Sequence, residues 1–103
     1  MKEDLIKIIN HYGINNQLKY IHSEYFELDE AIIKAEQFEP KSFIQLNVNV
    51  ENYINHIAEE IADVMVMLRQ FQYYYGISDE QIEDVMKYKI DRQIKRIESE
   101  NNE

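Results

Sequence analysis

Three backbone breakers punctuate the whole chain: Gly13, Pro40 and Gly76, the two glycines and one proline among 103 residues. So few breakers leave long uninterrupted segments, which favour helices over a turn-rich β fold. The segments also carry apolar residues at helical spacing. The first helix is expected over about residues 2–11, stopping at Gly13. The second runs from about 14 to 38, with a stripe of Ile14, Leu18, Ile21, Tyr25, Leu28 and Ile32. Pro40 bars helix continuation, and QLNVN lacks helical periodicity, so 39–49 reads as a connecting loop with room for a short extended piece. The third helix is expected from about 50 to 75, N-capped by Asn49 and stopped by Gly76. The fourth starts where Ser78 and Gln81 fit a capping box and runs to about 98, leaving 99–103 as a frayed tail. These pieces predict an all-α fold: a single-domain antiparallel four-helix bundle with helices two and three as the long central pair.

Composition narrows the function. Cysteine is absent, which excludes disulfides, thiolate metal sites and a cysteine nucleophile and suits a cytoplasmic protein. No apolar run is long enough for a membrane span, and MKEDLIKIIN is too short and too charged for a signal peptide. A net charge of −9 disfavours nucleic acid as a partner. The stretch KYKIDRQIKR (87–96) is nevertheless basic, so an anionic small molecule could bind there.

The segment HIAEEIADVMVML (56–68) poses the chemical question. Ile57, Ile61, Val64, Leu68 and Phe71 form its apolar stripe at about 100° per residue. Glu60 lies between Ile57, Val64 and Met67, and Asp63 lies at the stripe's edge. A carboxylate against a core needs a partner, because desolvating an unpaired charge costs several kcal/mol. The second helix has a matching pair, Glu24 and Glu27, three apart on one side. Two antiparallel neighbours could bring all four acids around one point. Oxygen-only ligation suits Mg²⁺ or Mn²⁺.

Spacing alone does not decide this, since the same pattern recurs at Glu36/Glu39 and Glu80/Glu83, where solvated faces are expected. None of His11, His22 and His56 follows a glutamate by three, which argues against a di-iron site, and no HExxH exists for a zincin-type site. His56, one turn before Glu60, reads either as a residue behind the site or as a boundary histidine with no role. In the fourth helix the stripe is Ile82, Val85, Met86, Ile90 and Ile97, with Lys89 and Arg96 inside it and Arg92 at its edge. Lys89 and Arg92 could pair with the helix-three acids or bind phosphates. Lys95 and Arg96 are explained by the helix macrodipole.

Taken together, NQLKYIHSEYFELDEAI (16–32), HIAEEIADVMVMLRQFQYYYG (56–76) and, more loosely, KYKIDRQIKRI (87–97) resemble the MazG-like family of all-α nucleoside triphosphate pyrophosphatases. The resemblance implies that Glu24, Glu27, Glu60 and Asp63 hold Mg²⁺ against a triphosphate tail. It implies that Lys89 and Arg92 meet the phosphates and that Gln17 lies near the nucleotide. Glu27 is the expected base toward water, with Glu60 the second catalytic acid. A homodimer or homotetramer is implied, with FQYYYG (71–76) as aromatic packing surface. Ser23 departs from the family's paired acids, Asp91 stands where many members carry Asn, and the gap between the acidic motifs is longer than usual. Two rivals stay open. One is an inactive nucleotide- or metal-binding protein. The other is a helical interaction module in which Glu60 and Asp63 pair with Lys89 and Arg92.

Overall fold

A computed structural model describes residues 1–38 and 43–102, with side chains described outside 43–49. The chain forms four helices: α1 (Lys2–Tyr12), α2 (Ile14–Gln37), α3 (Phe43–Tyr74) and α4 (Asp79–Asn101). The fold is an all-α helical bundle, as expected. None of the described helices is long and apolar enough to cross a membrane.

The local signals act where the sequence places them. Gly13 sits at φ +86°, between α1 and α2, and its N–H donates to the Ile9 carbonyl at 2.8 Å. Gly76, at φ +69°, closes α3 in a Schellman motif: its N–H donates to Tyr73 O and the Ile77 N–H to Gln72 O, each at 3.0 Å. A side chain at either glycine would be strained by the backbone angle alone. Ser78 Oγ then accepts the Gln81 N–H at 3.0 Å, opening α4.

The start of α3 differs from expectation. Of the stretch read as a loop, 39–42 lie outside the described residues, but α3 already begins at Phe43. Asn49 is therefore interior, not an N-cap. Adding residues to an existing helix avoids the nucleation cost, and Val or Asn in a helix costs only a few tenths of a kcal/mol each. At 1.5 Å per residue, the 32 residues of α3 span about 48 Å, which accounts for the molecule's longest dimension of 49 Å.

Helix α1 packs on α2 and α3, burying Leu5 and Ile9. Helices α2 and α3 run antiparallel, since Gln17 meets Gln70 while Phe38 stacks near Tyr53. Their packed faces are rotated from the predicted stripes. Along α2, Gln17, Glu24 and Ala31 are buried, whereas Leu18, Tyr25 and Ile32 face outward. Along α3, Glu60, Met67 and Gln70 are buried, whereas Ile61 and Leu68 are 42% and 52% exposed. Both helices thus put polar residues at the centre of their contact and leave apolar flanks uncovered.

Among the described residues, helix α4 buries no side chain and, beyond its first turn, does not pack closely on the other three helices. Its departure from α3 is pinned by Asp79. Its Oδ1 accepts from Gln72 Nε2 (2.8 Å), the Tyr73 hydroxyl (2.8 Å) and Arg69 Nη1 (3.1 Å). These hydrogen bonds hold the Asp79 carboxyl below its ordinary range. Phe71 and Tyr73 are the half-buried aromatics of the run; Tyr74 and Tyr75 are exposed. The stand-off of α4 gives a radius of gyration of 18.2 Å, against about 13 Å for a compact chain of this length.

Candidate metal centre

Residues three apart on a helix share a side, so α2 projects Glu24 and Glu27 toward α3, and α3 projects Glu60 and Asp63 back. One carboxylate oxygen from each of the four lies within 4.8 Å of the other three. Glu24 and Glu60 are buried at 7% and 8% exposure, while Glu27 and Asp63 are exposed. The site is therefore a half-open notch with two buried acids behind and two solvated acids in front.

Each buried acid has one unsatisfied oxygen. Glu24 Oε2 and Glu60 Oε2 are fully buried with no hydrogen-bond partner. Burial is the largest cause pushing the Glu24 carboxyl up, followed by the charges of Glu27 and Asp63, with a hydrogen bond from Tyr20 opposing. Burial likewise leads in raising Glu60, again followed by Glu27 and Asp63, with His56 opposing. Glu24's charge is the main reason the Tyr20 phenol is raised. Among the described residues no Lys or Arg pairs with any of the four acids. His56 Nδ1, 4.0 Å from Glu60 Oε1, is the one basic group beside them.

Four like-charged groups gathered without a cation are destabilising by themselves. Their donor set is all oxygen, half of it exposed and half lacking partners. That arrangement fits a hard divalent cation that keeps open positions for water or phosphate.

Gln17 lies two turns before Glu24 on α2, is buried, and donates to Gln70 Oε1 at 2.8 Å. Lys89 and Arg92 are not brought to the cluster by their own chain, because α4 stands clear of α2 and α3. Arg92 instead lies over the Tyr88 ring, 5.8 Å from its centroid. The ion pairing of Glu60 and Asp63 with Lys89 and Arg92 within one chain is therefore not formed.

Two neighbours escaped sequence reading: Tyr20, whose phenol is raised chiefly by the charge of Glu24, and Gln70, which accepts from Gln17. A signal for both existed. Tyr20 is four residues before Glu24, and Gln70 is seven after Asp63, as Gln17 is seven before Glu24. No protein-family model, curated protein or solved structure matches this chain.

Proposed function

We propose that this chain is a Mg²⁺-dependent nucleoside triphosphate pyrophosphohydrolase that releases nucleoside monophosphate and pyrophosphate. The observation that carries this reading is the convergence of four carboxylates within 4.8 Å, two of them with buried oxygens that lack partners. The resemblance of the surrounding sequence to MazG-like pyrophosphatases supplies the reaction class. Glu24, Glu27, Glu60 and Asp63 would hold the cation. When bound, Mg²⁺ supplies charge neutralisation of the phosphates and a lowered pKa for water. Mn²⁺ would satisfy the same donors.

Glu27 is solvent-exposed at the mouth of the notch and orients the attacking water and takes its proton. An oxygen–phosphorus bond forms at the α-phosphorus, the bond to the bridging oxygen breaks, and pyrophosphate leaves with that electron pair. Glu60, buried on the packed face of α3, would hold the cation from behind as the second catalytic acid. No covalent nucleophile is required, which suits a chain without cysteine and a reducing, cytoplasmic setting.

The working unit is a homodimer or homotetramer. Apolar side chains on α4 (Met86, Ile90, Ile94, Ile97) and the outward flank of α3 (Ile61, Met65, Leu68) are uncovered. A cleft of about 550 Å³ joins the two surfaces through Met65, Leu68, Ile82 and Met86. A second copy laid there would cover both surfaces, and Lys89 and Arg92 would then meet the substrate phosphates across the interface. Charge favours this docking, since residues 87–96 are basic in a chain of net charge −9.

The test is pyrophosphate release from a panel of nucleoside triphosphates, with Mg²⁺ and with EDTA, beside Glu60→Gln. Release that needs metal and vanishes in the variant is expected. A folded protein that is silent across the panel and binds no Mg²⁺ would overturn the proposal in favour of an interaction module.

A further inference from the structure

The turn between α3 and α4 carries more polar construction than a helix connection needs. Gly76 and Ser78 already end one helix and start the next. Neither joins a side chain of α3 to one of α4. That link is made by Asp79 alone. Arg69, Gln72 and Tyr73, at i, i+3 and i+4, share one side of α3. All three donate to the same oxygen, Asp79 Oδ1, at 3.1, 2.8 and 2.8 Å. The donors also hold each other. Arg69 Nη1 donates to Gln72 Oε1 at 2.6 Å, and Gln72 Nε2 donates to the Ile77 carbonyl at 3.0 Å. From α1, Lys2 Nζ lies over the Tyr73 ring, 5.3 Å from its centroid. Three helices therefore meet at one carboxylate. The hydrogen bond from Tyr73 locks in the ionised form, lowering the Asp79 carboxyl and raising the Tyr73 phenol.

This knot works against the apolar surfaces beside it. A cleft of about 550 Å³ separates Met65, Leu68 and Phe71 on α3 from Ile82 and Met86 on α4. Met65, Leu68 and Met86 are each about half exposed. Leaning α4 toward α3 would remove those faces from water, so the hydrophobic effect pulls the two helices shut. Three donors converging on one oxygen fix the direction in which α4 leaves, and that direction keeps the cleft open.

A small change at the turn is magnified along α4. Lys89 and Arg92 lie about 15 and 20 Å from Asp79 along the helix, at 1.5 Å per residue. A swing of about 10° moves Arg92 by about 3.5 Å, more than the length of one hydrogen bond. We propose that Asp79 is a positioning residue: its carboxylate holds the α3–α4 pair open against apolar closure and so sets where α4 carries Lys89 and Arg92. What those two cations meet rests on the hydrolase reading; the direction of α4 does not.

The chain has no cysteine, so Ala62→Cys and Glu98→Cys place two spin labels at exposed positions on α3 and α4. Pulsed EPR reads their separation, with labelled chains diluted into excess unlabelled protein so that only pairs within one chain count. Asp79→Ala shortens the separation by about 3 Å or more, the shift that a closure of about 10° makes on arms of this length. Asp79→Asn retains an accepting oxygen and recovers part of the shift. Tyr73→Phe removes one donor of three and shortens the separation by less. Circular dichroism stays helical, because Ser78 still caps α4; should Asp79→Ala lose helix, Tyr73→Phe answers the same question. In pyrophosphate release, Asp79→Ala raises KM about tenfold, as loss of one charge-assisted hydrogen bond would, with Mg²⁺ affinity unchanged. A separation unchanged or lengthened in both Asp79→Ala and Tyr73→Phe overturns the proposal. A shortened separation with KM unchanged overturns the positioning role. The two proposals fail separately. Shortening in a chain that releases no pyrophosphate keeps Asp79 as the residue that directs α4 and removes the hydrolase. Release with an unchanged separation keeps the hydrolase and removes Asp79.

Discussion

Replacing Glu24 with Gln tests whether the carboxylate notch is built for a cation. In the metal-free protein, Glu24 sits 7% exposed with three other acids having oxygens within 4.8 Å and no basic partner of its own. At 4.8 Å and an effective dielectric near 20, one like-charge pair repels by about 3 kcal/mol. Proton uptake by the raised carboxyls relieves much of this, so the net gain from deleting the charge is well below one full pair. For a chain of this size each 1 kcal/mol of it raises Tm by about 4–8 °C. Wild type gains the same relief from Mg²⁺. At a hundredfold excess over Kd, binding adds about 2.7 kcal/mol, enough to raise Tm by about 10 °C or more. Glu24→Gln loses most of that increment. The assay is a pair of thermal melts at neutral pH and fixed protein concentration, in EDTA and across a Mg²⁺ titration. A variant that melts below wild type in EDTA, together with a wild type indifferent to Mg²⁺, would refute the reasoning. It would mean that the acids are held by favourable contacts, not gathered against their mutual repulsion.

Two further outcomes follow from the same geometry. Glu24 and Glu60 have folded pKa values above their ordinary 4.5, so the unfolded chain ionises first. The associated stability is fully present below that pH and is lost as pH rises through the folded values. Asp79 is opposite: lowered from 3.8, it contributes above that value and its contribution is lost as pH falls through the folded one. Urea unfolding in EDTA should therefore show the Glu24 and Glu60 contribution falling as pH rises from about 4.5 through their folded values, with Mg²⁺ removing that decline. A contribution of these two acids that instead grows as pH rises above 4.5, read as the difference between wild type and Glu24→Gln, would contradict the assignment. On assembly, Leu68→Asp and Ile90→Asp should each shift the sedimenting species to monomer with helical circular dichroism retained. Wild type that sediments as a monomer at micromolar concentration would rule out the shared surface.

Much of the architecture is legible in single residues. Gly13, Gly76 and Ser78 set three helix ends because capping is local: a positive φ, a Schellman pair or one hydroxyl acts within a few residues of itself. The two acid pairs are legible for the same reason, since three-residue spacing on a helix fixes a shared side. Antiparallel packing of the two long helices then suffices to bring Glu24, Glu27, Glu60 and Asp63 together.

What the sequence could not decide was which flank of each stripe is buried. Glu60 stands between apolar neighbours on both sides, as does Glu24, so periodicity alone centres the stripe no better than one residue's rotation. Packing against α1 and across the α2–α3 contact turned Ile61, Leu68, Leu18 and Tyr25 outward. That rotation put Gln17 and Gln70 on the buried face. The direction of α4 was equally out of reach, because it depends on Arg69, Gln72 and Tyr73 converging on Asp79 across a turn. Helix ends and acid spacing are short-range properties carried by the chain itself. The buried face and the stand-off of α4 depend on contacts between residues distant in sequence or across a turn, and only the tertiary structure sets them.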